Sequence, residues 1–330
     1  MSIAAIAFTE RGMALGERLR RALPELTLRR CAAGELSDWT EQAFRENDAL
    51  VFIGAAGIAV RAVAPFVRSK TTDPAVVVLD ERGTFAIPVL SGHLGGANEL
   101  AGRLAAAVCA LPVITTATDV NGLFAVDDWA RRQGLAVANP ERIKWISARL
   151  LAGERISVKS LYPIAGPLPA QVGLSDEGYD VLVSHRSRGR AEALRLVPRA
   201  VTAGIGCRRG VTEEAVEQAF LSALGKAGCH ELSVAAVATI DLKAAEPGLV
   251  AFCRRRGLPL HTYSAGELAA VEGSFTASAF VERTTGVDNV CERAAVRLSG
   301  GRLLSRKEPC SGVTVALALR QPELTWGESV

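Results

Sequence analysis

The run Ser91-Gly92-His93-Leu94-Gly95-Gly96-Ala97-Asn98 carries the sharpest chemical signal in the chain. It sets an imidazole and a hydroxyl beside three glycines, which let a backbone approach a ligand closely. The residues before it read as a strand and those after it as a helix. Open α/β sheets bind ligands in such loops, and the first N–H groups of the helix can hold an oxyanion or a carboxylate. The run lacks the Lys-Ser/Thr ending of a phosphate loop. It also lacks a G-x-S-x-G elbow that would make Ser91 an obvious nucleophile. A plain strand-to-helix turn with an exposed His93 is the alternative.

Two further segments fit sheet-edge loops. GAAGIAVR at 54–61 is a turn into a helix that carries Gly54, Gly57 and the basic Arg61. TTATDVNG at 115–122 is polar and rich in turn formers, among them Asp119 and Asn121. Alone, each reads equally well as a plain loop. Together with 91–98 they follow successive predicted strands, and in a parallel sheet such loops share one edge. Convergence on a binding cleft is the expectation. In the second half, GIGCRRG at 204–210 precedes a helix with Thr212 as a good N-cap. Its spacing is one residue too long for a dinucleotide fingerprint. Asp241 also lies 31 residues past Gly210, where a ribose-binding acid falls at about 20. The turn, with Gly204 and Gly206, either offers N–H groups to an anion or is merely tight. Cys207 beside Arg208 is a nucleophile candidate with no base near it in sequence. Asp241 and Lys243 close a buried strand as substrate contacts or as an ordinary ion pair.

The elements that must position these residues alternate. Residues 3–8 and 49–53 read as strands, 11–23 as a helix, and 58–67 as a short helix interrupted at Pro65. Residues 75–79 and 84–90 read as strands around a turn at 80–83. The helix after the loop repeats Leu100, Leu104 and Val108 on one face, and 112–115 reads as the next strand. Residues 127–133 and 141–151 look helical, followed by short strands among glycines and prolines. Strands at 201–205, 232–240 and 313–319 and helices at 247–256 and 287–298 form a last α/β unit. The pattern predicts an α/β fold of two open, mostly parallel three-layer units joined by a small middle region. The expected division is an amino-terminal domain 1–126, a middle region 127–198 and a carboxy-terminal domain 199–330.

Composition narrows the class. The chain has 330 residues, 49% apolar and 22% charged, ordinary globular values that exclude a disordered chain, a collagen-like repeat or a small disulfide scaffold. Net charge is +3 and the 17 aromatic residues do not interleave with basic ones, so nothing points to nucleic acid. Arg outnumbers Lys 32 to 6; Arg suits bidentate binding of carboxylate or phosphate, and a GC-rich genome yields the same bias. Seven cysteines form no C-x-x-C pair, and the four histidines have no ligand spacing. No metal site, no disulfide framework and a reducing cytoplasmic setting are expected. Mean hydropathy is +0.21, but the longest apolar run, 49–60, has 12 residues where a membrane span needs roughly 20. The first ten residues read as a buried strand rather than a signal peptide.

Taken in order, GAAGIAVRAVAP at 54–65, SGHLGGANELAGRLA at 91–105, ITTATDVNGLFAVDDWA at 114–130, GIGCRRG at 204–210 and TIDLKA at 239–244 resemble the CbiG family. These are cobalt-precorrin-5A hydrolases of anaerobic cobalamin biosynthesis. The last two motifs resemble the family's carboxy-terminal domain, which also occurs alone as CobE in the aerobic pathway. The resemblance covers roughly residues 45–320. It implies a cobalt-bound contracted tetrapyrrole as substrate, with a δ-lactone between the ring A acetate and the extruded C20 carbon. Water opens the lactone and C20 leaves with its methyl as acetaldehyde, giving cobalt-precorrin-5B. No cofactor is implied, because the cobalt belongs to the substrate. A homodimer or transient contact with neighbouring pathway enzymes is compatible with that role.

Lactone hydrolysis needs a base for water and donors for the oxyanion. His93 is the best base on offer, and axial ligation of the substrate's cobalt is its other role. Backbone N–H groups of Gly95, Gly96 and Ala97, with the Asn98 amide, form the expected oxyanion site within the turn begun by Gly92. Ser91 or Glu99 is expected to orient His93. Arg61, Arg208 and Lys243 are the candidates for binding the substrate's acetates and propionates. A non-catalytic corrinoid-intermediate binding or carrier protein is the rival reading, and a nucleotide-dependent oxidoreductase the second.

Overall fold

Three five-residue runs, IAAIA, ALVFI and AVVVL, are buried at every position, as expected of strands covered on both faces. The computed structural model describes residues 1–69 and 72–327. They fall into two compact units, Met1–Arg131 with Ile143–Glu154, and Arg132–Arg142 with Arg155–Val330.

The first unit runs β1 (Ile3–Ala7), α1 (Glu10–Ala22), β2 (Leu26–Arg30), α2 (Leu36–Glu46), β3 (Ala49–Ile53), α3 (Ala56–Val63), β4 (Ala75–Leu79) and β5 (Phe85–Leu90). It continues with α4 (Ala97–Val108), β6 (Leu111–Pro112), a helical turn α5 (Ala117–Val120), α6 (Val126–Arg132) and α7 (Ile143–Leu151). Thr9 starts α1 by accepting the Gly12 N–H at 3.0 Å, with Glu10 in the first turn and Arg20 and Arg21 in the last. The strands order as β2-β1-β3-β4-β5-β6. Alternate strand residues divide between two cores. Ile3, Ala5, Ala7, Val51, Ile53 and Val77 pack with Leu15 and Leu19 of α1 and Leu100 and Leu104 of α4. Ala4, Ile6, Leu50, Phe52 and Val76 pack with Ala43 of α2 and Ala59 and Val63 of α3. That is the expected three-layer arrangement.

Strand direction in this sheet decides where the site lies. β1 to β4 are mutually parallel, but β5 runs antiparallel to β4, and β6 is parallel to β5. The turn at 80–83 is a hairpin, held by the Asp80 carboxylate accepting the N–H groups of Arg82, Thr84 and Phe85 at 2.7–2.9 Å. Loops after β5 and β6 therefore emerge at the edge where β4 begins. The loop after β3 emerges at the opposite edge.

The second unit begins with β7 (Leu135–Val137), β8 (Ile156–Ser160), β9 (Ile164–Ala165), β10 (Val172–Leu174), β11 (Val181–Val183) and β12 (Leu194–Pro198). Five of these form a mostly parallel sheet ordered β10-β8-β11-β12-β7. Then come β13 (Val201–Cys207), α8 (Glu213–Ala227), β14 (Val234–Ile240), α9 (Pro247–Arg256), β15 (Leu260–Tyr263), α10 (Ala265–Ala269), α11 (Ala279–Thr285), α12 (Cys291–Ser299), β16 (Arg302–Cys310), β17 (Val313–Leu319) and β18 (Leu324–Thr325). Their main sheet orders β15-β14-β13-β17-β16, the first three strands parallel and the last two antiparallel. Val201, Ala203 and Ile205 face α8 and α9, while Ala238 and Ile240 pack with Ala294 of α12. No described helix is long and apolar enough to cross a membrane.

Candidate functional site: a histidine between two aspartates

The loop between β5 and α4 is built by its own backbone. The N–H groups of Gly96, Ala97 and Asn98 donate to the carbonyls of His93, Ser91 and Gly92 at 2.9–3.1 Å. Ser91 sits at φ +56° with its hydroxyl donating to the Asp73 carbonyl at 3.0 Å, just before β4. Gly96 starts α4 at φ +82°, a conformation most side chains resist, with the Arg131 guanidinium 3.5 Å from where a Cβ would stand.

This scaffold turns His93 inward, its side chain 11% exposed. Nε2 lies 2.8 Å from Asp119 Oδ2 and Nδ1 lies 3.2 Å from Asp127 Oδ1. Asp127, in the first turn of α6, is buried, while Asp119 on α5 is 34% exposed. Asn98 joins them by donating to Asp119 Oδ2 at 2.8 Å and Thr116 Oγ1 at 2.6 Å. Burial pulls the His93 pKa down, but hydrogen bonds and charge from Asp127 and then Asp119 outweigh it and lift the value to about 9. At pH 7 the ring is an imidazolium donating from both nitrogens. Burial raises Asp119, yet His93, Thr116 and Asn98 hold it below the usual carboxylate range.

The structure redistributes the roles expected of these residues. Asp119, expected as a substrate contact, is the Nε2 partner of His93. Neither Ser91 nor Glu99 orients the ring: the Ser91 hydroxyl is on Asp73, and Glu99 pairs with Arg131. The carboxylate that meets Nδ1 is Asp127, which sequence reasoning missed; its signal was an acidic pair opening a helix shortly after the polar loop. The Gly96 and Ala97 N–H groups bond within the loop, so they do not face an oxyanion. Gly95 N–H has no acceptor among the described residues. Asn121 only caps α5, donating to the Ala117 carbonyl at 2.8 Å. Gly54, Gly57 and Arg61 are not brought to the cluster. The Gly54 N–H bonds to Leu79 at the end of β4, at the edge opposite Ser91, because the β4–β5 hairpin reverses the chain.

In the second unit the expected glycine turn is largely strand. β13 runs on to Cys207, so Gly204 and Gly206 lie inside it, paired with Ala316 and Thr314 of β17. The turn proper is 208–210, with the Gly210 N–H on the buried Glu246 carboxylate at 2.7 Å. Lys243 pairs with that same Glu246 at 3.0 Å, rather than with Asp241. Asp241 accepts the Leu242 N–H at 2.7 Å, and Arg208 is exposed. Burial raises the Cys207 pKa, with Lys243 opposing and Glu246 adding to it. A raised pKa leaves little thiolate, against the nucleophile reading. Iodoacetamide at pH 7 is expected to alkylate the exposed Cys109 about tenfold faster than Cys207, as read by peptide mass mapping.

No group of three or more His, Cys, Asp or Glu among the described residues has metal-holding geometry. An open α/β sheet with an imidazole between two carboxylates at its edge has the groups that acid–base chemistry uses. Two family profiles match the chain: cobalamin synthesis G N-terminal over residues 38–119 and cobalamin synthesis G C-terminus over residues 201–318. The cobalt-precorrin-5A hydrolase of Salmonella typhimurium is 36% identical, with 96% of this chain and 97% of that protein covered. That of Priestia megaterium is 33% identical, with 96% and 94% covered. The crystal structure of CobE, a protein from the cobalamin (vitamin B12) biosynthetic pathway, is 35% identical over 38% of this chain and 92% of that chain, with a TM-score of 0.35. The chain belongs to the CbiG family, the cobalt-precorrin-5A hydrolases of cobalamin biosynthesis.

Proposed function

We propose that this chain hydrolyses cobalt-precorrin-5A with the His93 cluster as its reacting centre. Water adds to the carbonyl of the ring A acetate δ-lactone. The ring opens to a carboxylate and a hydroxyl on C20. Loss of that hydroxyl proton then breaks the bond from C20 to the macrocycle. Acetaldehyde departs, the electron pair passes to the cobalt macrocycle, and cobalt-precorrin-5B remains. Kinship with two cobalt-precorrin-5A hydrolases over 96% of the chain is the observation that carries the reading.

The charge state of the cluster favours one division of labour. A protonated His93 with both nitrogens engaged is neither a free base nor a cobalt ligand. Its Nε2–H is a donor whose partner, Asp119, stands partly in solvent. A lactone carbonyl taking the place of Asp119 at Nε2–H is polarised by the imidazolium. Asp119, released from that ion pair, becomes more basic and accepts the proton of the attacking water. The Gly95 N–H is the remaining candidate for the oxyanion.

This assignment sets the pH dependence. The His93 pKa in the folded chain, about 9, lies above the ~6.5 of an unfolded histidine. Its contribution to stability is therefore complete below about pH 6.5 and is lost as pH rises through about 9. Activity needing the imidazolium follows the same limb: kcat/KM is expected to be level near pH 7–8 and to fall about tenfold per unit above 9. A rate that instead rises up to pH 9 would return His93 to the role of base. The deciding experiment is anaerobic incubation of the purified protein with cobalt-precorrin-5A while a hydrazine traps acetaldehyde. Acetaldehyde in step with a two-carbon mass loss is the expected result. Intact, bound corrinoid without acetaldehyde points instead to a carrier.

A further inference from the structure

We propose that Asp127 is the positioning residue for His93, holding Nδ1 from a buried helix start so that Nε2 is the nitrogen presented to Asp119 and to substrate. The inference rests on the reading of His93 as the reacting group. The two carboxylates on the ring are unequal. Asp119 belongs to a single helical turn, is partly exposed, and shares Oδ2 between His93 and Asn98. Asp127 is 6% exposed and sits in α6 between buried Val126 and the buried pair Trp129 and Ala130. A buried carboxylate is costly to ionise without donors around it, and the His93 Nδ1 at 3.2 Å is one of them, beside the Asp128 N–H at 3.2 Å.

The same helix grips the loop a second time. Arg131, one turn after Asp127, lies over Gly96 and pairs with Glu99 and with Asp128 at 3.0 Å. α6 therefore fixes both the ring and the start of α4, whereas α5 supplies only the exposed partner. Among the described residues, the charged groups that pair with the ring are Asp119 from α5 and Asp127 from α6, while Glu99 of α4 pairs with Arg131. With Nδ1 held by the buried group, a proton exchanged with substrate is the one on Nε2.

The test is Asp127→Asn in the full chain, followed by NMR of labelled histidine side chains, the His93 signal being assigned with His93→Gln. The amide keeps the shape of the carboxylate and removes its charge. The His93 titration midpoint is expected to fall by at least one pH unit from about 9. Turnover is expected to drop about thirtyfold in kcat, with KM within about threefold. A purely structural role also lowers the midpoint, because the charge is gone either way, but leaves kcat of the folded chain below that midpoint unchanged. A folded Asp127→Asn chain with the wild-type midpoint and pH–rate profile overturns the proposal. Asp127→Glu is the second variant. It keeps the charge but displaces the ring, so the midpoint should stay raised while kcat falls about tenfold; unchanged kcat counts against positioning. The titration needs no substrate, so failure of the wild-type chain to release acetaldehyde sinks the reaction without touching this result.

Discussion

His93→Ala is expected to lower the rate of acetaldehyde release from cobalt-precorrin-5A about a thousandfold, with little change in substrate affinity. A positioned acid–base group contributes about 10²–10⁴, and here one residue also organises the base. Removing the ring leaves Asp119 and the buried Asp127 without their shared cation. Asp127 then loses one of its partners in a buried setting, so a loss of about 1–3 kcal/mol in stability should accompany the loss of rate. His93→Gln separates the two effects: an amide can donate to one carboxylate, restoring part of the stability but no proton transfer. The cobalt-ligand reading predicts something else. If His93 bound cobalt, its removal would change the visible spectrum of the bound corrinoid, and the structure leads us to expect an unchanged spectrum. Wild-type turnover by His93→Ala would take the residue out of the mechanism.

The layered α/β fold was legible because buried strands write themselves as uninterrupted apolar runs. Runs at 3–7, 49–53, 75–79 and 313–319 leave no other reading. β2 and α2 went unread for the opposite reason. β2 is an edge strand with one buried residue of five, Leu26, so its sequence, LTLRR, looks like surface. In α2 only Thr40 and Ala43 are fully buried, so no broad apolar stripe announces it. β6 is two residues long, Leu111–Pro112, and shares only Pro112 with the strand expected at 112–115.

The site was legible by composition but not by partnership. SGHLGGAN and TTATDVNG could be read as neighbouring loops, because β5 and β6 are parallel and bring His93 to Asp119. Gly54 and Arg61 are separated from His93 by strand direction: the turn at 80–83 is a hairpin that reverses β5 and the loop it feeds, which the apolar pattern of the two strands does not reveal. Asp127 lay at the expected start of a middle region, while its helix up to Arg131 belongs to the first unit. Which carboxylate meets a histidine depends on how a helix packs, and local sequence pattern does not encode that.

Gly204→Ala tests the other misreading, the glycine pair in the second unit. As an anion-binding turn, Gly204 would tolerate a methyl with a cost in substrate affinity alone. As a strand residue under α12, it would not. A Cβ there would stand 1.8 Å from the Cys291 carbonyl oxygen and 2.9 Å from the Ala295 Cβ. Backbone cannot rotate away as a side chain can, so the whole helix must lift from β13 and open the core around Ala294 and Ala295. Overpacking costs about 1–3 kcal/mol where neighbours can give, and a clash with backbone belongs at the upper end, about 3 kcal/mol. For a unit of this size that lowers the melting temperature by roughly 6–12 °C. Gly57→Ala is the contrast: its nearest neighbour is the tip of Arg61 at 3.8 Å, and it lies in α3. Helix propensity there favours alanine by about 0.5–1 kcal/mol. Thermal unfolding of the two variants followed by CD should thus move in opposite directions. A Gly204→Ala chain that melts like wild type but shows a raised KM would restore the binding role and remove the packing one.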